Sequence, residues 1–382
     1  MGRACDCVYP SRRRPSTQNR HSSTRSRPAR RRAELHGAWV ARRRTLLHSG
    51  TRKAPCAGTP QPSDRPLNEQ APPVQLVPPD IAPYRCGNTG VDYVTTLVSG
   101  QPGPHVVLNA LMHGNELCGA IALDALLRMG VRPRRGSLTF AFANVAAYRA
   151  FDAERPYVSR YIDEDMNRLW ATEVLESRRS SVELRRARAL LPIFGMADVL
   201  LDLHSMTNDS APLTLCGRTE RAAALAHRLG HPGWIVADAG HAAGLRLIDH
   251  PRFAAGGAGT ALLVECGQHW QAATAAVALE VCLRLLTVLE VIDPAVAAAG
   301  RIPVRDGPPR QVEVTHAVTA TTDEFTFTET YTGLEVIPRA GTVIARDGAT
   351  LVTTPYDGCV LIMPGRRLRP GQTAVRLGRI VG

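Results

Sequence analysis

Lysine is almost missing from this chain: Lys53 stands alone among 46 basic residues, the rest being arginine. Arginine enrichment is therefore a coding bias of the whole sequence, and an Arg-rich stretch carries little local message. Apolar runs of 18 or more residues are also missing, which argues against a membrane-spanning helix. No apolar h-region follows the early arginines, so export by a conventional signal peptide is not expected. The nine cysteines form no CxxC pair and are odd in number. Cys118, Cys216, Cys266 and Cys282 lie in apolar runs, where a small buried thiol is the default. A reducing, cytoplasmic setting is the expectation. Methionine is absent between Met1 and Met112, so a later true start would have to use another codon.

The net charge of +12 is unevenly spread. Residues 1–66 hold 16 of the basic residues and three acids (Asp6, Glu34 and Asp64), leaving 30 basic against 31 acidic residues in 67–382. A basic protein ordinarily invites a nucleic-acid reading. Here the charge belongs to the first segment, and the body is near neutral, so no nucleic-acid partner is expected for it. Residues 1–75 are rich in Arg, Ser, Pro and Thr and cannot bury enough apolar surface to offset their ordering entropy, which predicts a disordered tail. Four origins stay open for it: an over-long gene start, a targeting peptide, a nucleic-acid arm and a solvating extension.

The body alternates short apolar runs with amphipathic ones. Strands are expected at "HVVLNALM" (105–112), "SLTFAFANV" (137–145), "DVLLDLHSM" (198–206) and "TALLVECG" (260–267). Helices are expected between them, one closed by Gly130, one over 181–197 until Pro192 interferes, and a long Ala-rich one to about 291. This order predicts an α/β domain over 76–300 with a mixed, largely parallel sheet flanked by helices. Beyond Pro294, β-branched runs punctuated by Asp-Gly and Pro-Gly predict a small all-β domain over 301–382.

Chemistry-bearing residues fall at the strand ends, where active sites of such folds sit. His113 follows the first strand, Glu116 opens the next helix, and His204 and Glu265 end two further strands. Two imidazoles and a carboxylate make the ligand set of a catalytic zinc with an open fourth position. HxxE alone is weak, since a helix start beside a chance histidine gives the same letters. Four such residues at one rim of a sheet are much harder to obtain by chance. Asp202, on the same strand face as His204, either orients an imidazole or is a solvated carboxylate. In "SRYIDEDMNRLW" (159–170), Arg160 and Arg168 offer planar forks for a carboxylate or oxyanion and Asn167 an amide donor. The bland alternative pairs those arginines with Asp163, Glu164 and Asp165 on the surface.

Taken together, "HGNE", "RYIDEDMNR", "LLDLHSM" and "LLVECGQH" resemble the succinylglutamate desuccinylase/aspartoacylase family, relatives of the zinc carboxypeptidases. The resemblance covers roughly residues 90–290, and the β-rich C-terminal part is similar in kind to the family's second domain. It implies a zinc-carboxypeptidase-like fold, one zinc per chain held by His113, Glu116 and His204, and Glu265 as general base. It further implies Arg160 at the scissile carbonyl, Asn167 and Arg168 on a substrate carboxylate, and Asp165 positioning the arginines. The implied substrate is a small N-acyl amino acid or similar carboxylate. A metallocarboxypeptidase-like enzyme acting on peptides or cell-wall stem peptides is the alternative. A non-catalytic binding protein has no need of a general base. Arg246, Arg252 and Tyr356 are candidates for a second substrate carboxylate, and His269 for the pocket wall.

Overall fold

A computed structural model describes residues 72–240, 243–298, 307–366 and 368–381. The expected tail lies outside the described residues except for 72–75, where the Gln75 N–H donates to the Trp270 carbonyl.

Fourteen strands are described: β1 Val94–Val98, β2 His105–Ala110, β3 Ser137–Phe142, β4 Val199–Met206, β5 Leu213–Leu215, β6 Trp234–Ala237, β7 Thr260–Gln268, β8 Arg310–Thr319, β9 Thr326–Phe327, β10 Val336–Ile337, β11 Val343–Asp347, β12 Thr350–Thr353, β13 Cys359–Ile362 and β14 Thr373–Val381. The helices are α1 Leu117–Arg128, α2 Val145–Arg149, α3 Thr172–Leu175, α4 Val182–Gly195, α5 Glu220–Leu229, α6 Ala272–Val288 and α7 Pro294–Ala298. Eleven of the strands form one mixed sheet in the order β1-β3-β2-β4-β7-β5-β6-β8-β14-β13-β10.

The central strands read as continuous apolar runs because both of their faces are covered. On β4, Val199, Leu201 and Leu203 pack with α1 and α6, whereas Leu200 packs in the cluster containing Leu184, Leu190 and Phe194 of α4. β2 and β7 alternate in the same way. The period of two therefore puts Asp202 and His204 on the Leu200 face of β4, and Glu265 on the Leu263 face of β7. Parallel pairing places Leu203 beside Ala110 and His204 beside Glu265, so the functional residues collect at one rim.

Three features differ from the sequence expectation. Helix α4 runs through Pro192 to Gly195. Proline there removes one main-chain donor near the helix end, while burial of Leu190, Ile193 and Phe194 holds the turn in place. The sheet's parallel character is confined to β3-β2-β4-β7 and β5-β6-β8; β7 and β5 pair antiparallel, as do β1 with β3 and the strands beyond β8. From Arg310 on every described element is a strand, but β8 pairs parallel with β6 and so continues the main sheet. A separate three-stranded sheet, β12-β11-β9, lies beyond it. Its neighbourhood is packed by Tyr331, Ile344, Cys359, Leu361, Val375 and Leu377.

Candidate functional site

His113 lies in the loop between β2 and α1, and Glu116 is the N-cap residue of α1 rather than part of its first turn. The Glu116 side chain makes no cap hydrogen bond. Its oxygens turn the other way: Oε1 lies 2.8 Å from His113 Nδ1, and Oε2 lies 2.9 Å from His204 Nδ1. All three side chains are buried, and one donor atom from each lies within 4.8 Å of the others.

Gly114 is what lets the loop reach this geometry. A Cβ there would stand 2.3 to 2.5 Å from main-chain atoms of Ala147, Tyr148 and Ser159. The Gly114 N–H also donates to the Arg160 carbonyl at 3.0 Å, joining the ligand loop to the arginine segment.

Each imidazole turns its second nitrogen to a carboxylate. His204 Nε2 is 2.9 Å from Asp202 Oδ2, and Asp202 Oδ1 in turn accepts from Asn109 Nδ2 at 2.7 Å. His113 Nε2 is 2.9 Å from both Asp165 Oδ1 and Arg160 Nη2. A proton on Nε2 selects Asp165 and leaves Arg160 to Asp165 Oδ2 at 3.2 Å and Glu116 Oε1 at 3.3 Å. With both Nε2 atoms so occupied, both Nδ1 atoms face Glu116. The donor set, its burial and its second row of carboxylates fit a divalent cation in this position.

The electrostatics point the same way. Burial alone would raise the Glu116 carboxyl, yet the His113 and His204 imidazoles hold it well below the usual range. Burial opposes charge on His204, but Asp202 and Glu116 push its pKa well above the ordinary value. Glu265 behaves oppositely: burial raises its pKa to about 8. Its Oε2 has no hydrogen-bond partner among the described residues.

Arg160 ends a 3-10 turn, Val158–Arg160, and a second such turn, Met166–Arg168, is capped by Asp165, whose Oδ1 accepts from the Asn167 N–H at 2.8 Å. Asn167 Oδ1 is taken by the Leu247 N–H at 2.9 Å, leaving its amide nitrogen as a donor. These residues border a cavity of about 400 Å³ that also touches His113, Glu116, His204 and Glu265. His113, Glu116, Arg160, Asn167, Arg168, His204 and Glu265 thus line one cavity, with Asp165 and Asp202 standing behind the imidazoles.

The further candidates divide. Arg246 lines the cavity but is engaged by Asp238 at 3.0 Å and Asp249 at 2.6 Å. Arg252 donates to the Ala197 carbonyl and Tyr356 pairs with Thr315, and neither reaches the cavity. His269 does line it; burial lowers its pKa to about 3, and it is held between the Ser205 and Thr207 hydroxyls at 2.8 and 3.2 Å. Sequence reasoning missed Arg376 on β14, which lines the cavity with its Nε 3.2 Å from Asp238 Oδ2. Only its place on a strand that joins the main sheet far along the chain brings it there, and no local motif marks it.

Residues 102–275 match the model of the succinylglutamate desuccinylase/aspartoacylase catalytic domain. Aspartoacylase of Mus musculus is 29% identical over 125 residues, 30% of this chain and 38% of that protein. The N-acyl-aromatic-L-amino acid amidohydrolase (carboxylate-forming) of Xenopus laevis is 31% identical over 115 residues, 28% of this chain and 36% of its own. The matched segment thus spans under two fifths of either relative. In three dimensions, a succinylglutamate desuccinylase/aspartoacylase from Rhodobacter sphaeroides superposes with a TM-score of 0.56 at 20% identity, covering 76% of this chain and 89% of that one. Succinylglutamate desuccinylase from Vibrio cholerae gives 0.57 at 16%, covering 76% and 87%. These two likenesses concern the fold.

Proposed function

Because the chain belongs to the succinylglutamate desuccinylase/aspartoacylase family, we propose that it is a zinc-dependent hydrolase cleaving the amide bond of a small N-acyl amino acid or related carboxylate. The observation that carries this is the buried His113, Glu116 and His204 cluster with Glu265, whose Oε2 has no hydrogen-bond partner among the described residues, lining the same cavity. We place the fold with the zinc-carboxypeptidase-like hydrolases and the protein in the cytoplasm; the six free cysteines among the described residues support a reducing compartment.

One zinc would be held by His113 Nδ1, His204 Nδ1 and a Glu116 oxygen. What the metal supplies when bound is Lewis acidity, which makes water a nucleophile near neutral pH and polarises an acyl oxygen. Glu265 takes the proton of the attacking water and later delivers it to the departing amine nitrogen. Arg160, fixed by Asp165, donates to the oxygen that gains negative charge as the carbonyl becomes tetrahedral. The Asn167 amide nitrogen and the Arg168 guanidinium hold the substrate carboxylate, beside Arg376 and Arg246, whose charges are balanced by Asp238 and Asp249. A cavity of about 400 Å³ bordered by Thr332, Met363 and Gly365 suits a small substrate better than a peptide, which favours the deacylase over the peptidase alternative. No described helix is long and apolar enough to cross a membrane.

A panel of N-acyl amino acids and short peptides, offered to the zinc-loaded wild type and to Glu265→Gln, tests this function. Hydrolysis of an N-acyl amino acid should fall roughly 10²–10⁴-fold in the variant. A Glu265→Gln protein as active as wild type would remove the assigned base.

A further inference from the structure

Glu183, in the first turn of α4, has no part in the chemistry above, yet it is a fully buried carboxylate. Its oxygens accept from three consecutive main-chain N–H groups: Ile162 at 2.7 Å, Asp163 at 3.0 Å and Glu164 at 3.3 Å. A fourth donor, Asn144 Nδ2, completes the set at 3.0 Å. Asp163 reciprocates by accepting from the Val182 N–H at 2.7 Å. Loop and helix therefore hold each other's orphan donors, as the two halves of a capping box do, but across 19 residues of chain.

We infer that Glu183 is a positioning residue that fixes the 160–168 segment over the metal ligands. The inference rests on the proposed function for its metal. Residues 162–164 have no partners in a regular helix or strand of their own, so without this carboxylate three N–H groups now in part-buried hydrogen bonds lose their acceptor. The segment they belong to carries Arg160 on one side and Asp165, Asn167 and Arg168 on the other. Asp165 follows the clamp directly and holds His113 Nε2. Asn144 extends the same brace to the other loop: its Oδ1 accepts from the Ala147 N–H at 3.3 Å, and the Ala147–Tyr148 main chain is the seat of Gly114. One carboxylate thus ties the arginine segment to the surface on which the ligand loop rests.

Glu183→Gln keeps the shape but turns an amide NH2 toward two of the four donors. Asp163→Ala removes the exposed half of the clamp and serves if the buried variant does not fold. Ile193→Val, on the same helix, is the control for plain loss of stability. Zinc affinity is read by chelator competition and segment mobility by hydrogen exchange. The two clamp variants should bind zinc about tenfold or more weakly, with faster exchange across 162–168, while Ile193→Val changes neither. Unchanged zinc affinity in folded clamp variants, or equal weakening in Ile193→Val, would reduce Glu183 to an ordinary structural residue. If the wild type bound no zinc, the proposed function would fall, and exchange at 165–168 would still decide whether Glu183 holds the segment.

Discussion

Replacing Gly114 by alanine perturbs the site without altering any group that binds or reacts. The added Cβ would meet the Ala147 carbonyl carbon at 2.3 Å, the Tyr148 nitrogen at 2.4 Å and the Ser159 oxygen at 2.5 Å. Carbon atoms in contact sit at about 3.5–4.0 Å, so the loop and its seat must separate by roughly 1 Å. All three neighbours are main chain, and none can rotate away. Overpacking of this kind costs about 1–3 kcal/mol, which for a unit of this size lowers Tm by roughly 2–4 °C per kcal/mol. The shift also passes to Arg160 through the Gly114 N–H bond, and a misplacement near 1 Å costs on the order of 100-fold in turnover. Thermal unfolding and kcat/KM on zinc-loaded protein measure both effects. Gly195→Ala is the control: nothing lies within 4 Å of its Cβ position in the last turn of α4, so it should be neutral or stabilise by up to about 1 kcal/mol. A Gly114→Ala protein with wild-type Tm and turnover would refute the geometry.

Asp202→Asn leaves His204 in place but weakens its orienting partner, so zinc affinity should fall about 10–100-fold by chelator competition; an unchanged affinity would make Asp202 a bystander. A pH series on chelator-stripped protein tests Glu265, whose pKa is raised by burial from 4.5 to about 8. Its contribution to stability is full below pH 4.5 and is lost as pH rises through about 8. At ~1.36 kcal/mol per pH unit the total is roughly 4–5 kcal/mol, with roughly 3 lost by pH 7. Denaturant unfolding of wild type should therefore worsen with pH relative to Glu265→Gln, and parallel curves would show that Glu265 is not held protonated.

How much of this was legible beforehand follows from the packing. β2, β4 and β7 are covered on both faces, so they appear as apolar runs, and a histidine or acid inside such a run stands out at once. His204, Asp202 and Glu265 are visible for that reason, and His113 with Glu116 because they sit where a run ends. What stayed hidden depends on partners remote in the chain. The join of β8 to β6 needs a free strand edge that only the assembled sheet exposes. Arg376 is one arginine among many until β14 brings it to the cavity. Glu183 sits in an amphipathic helix where an exposed acid is the default, and the donors that bury it come from a loop about 20 residues earlier.

The proposed chemistry requires His113, Glu116 and His204 to form one metal site. Zinc titration of chelator-stripped wild type and His204→Ala, followed by metal analysis after gel filtration, tests it most directly. One tightly held zinc per wild-type chain and none retained by the variant is the predicted result. A wild type that retains no zinc, or a His204→Ala protein that holds it equally well, would contradict the account.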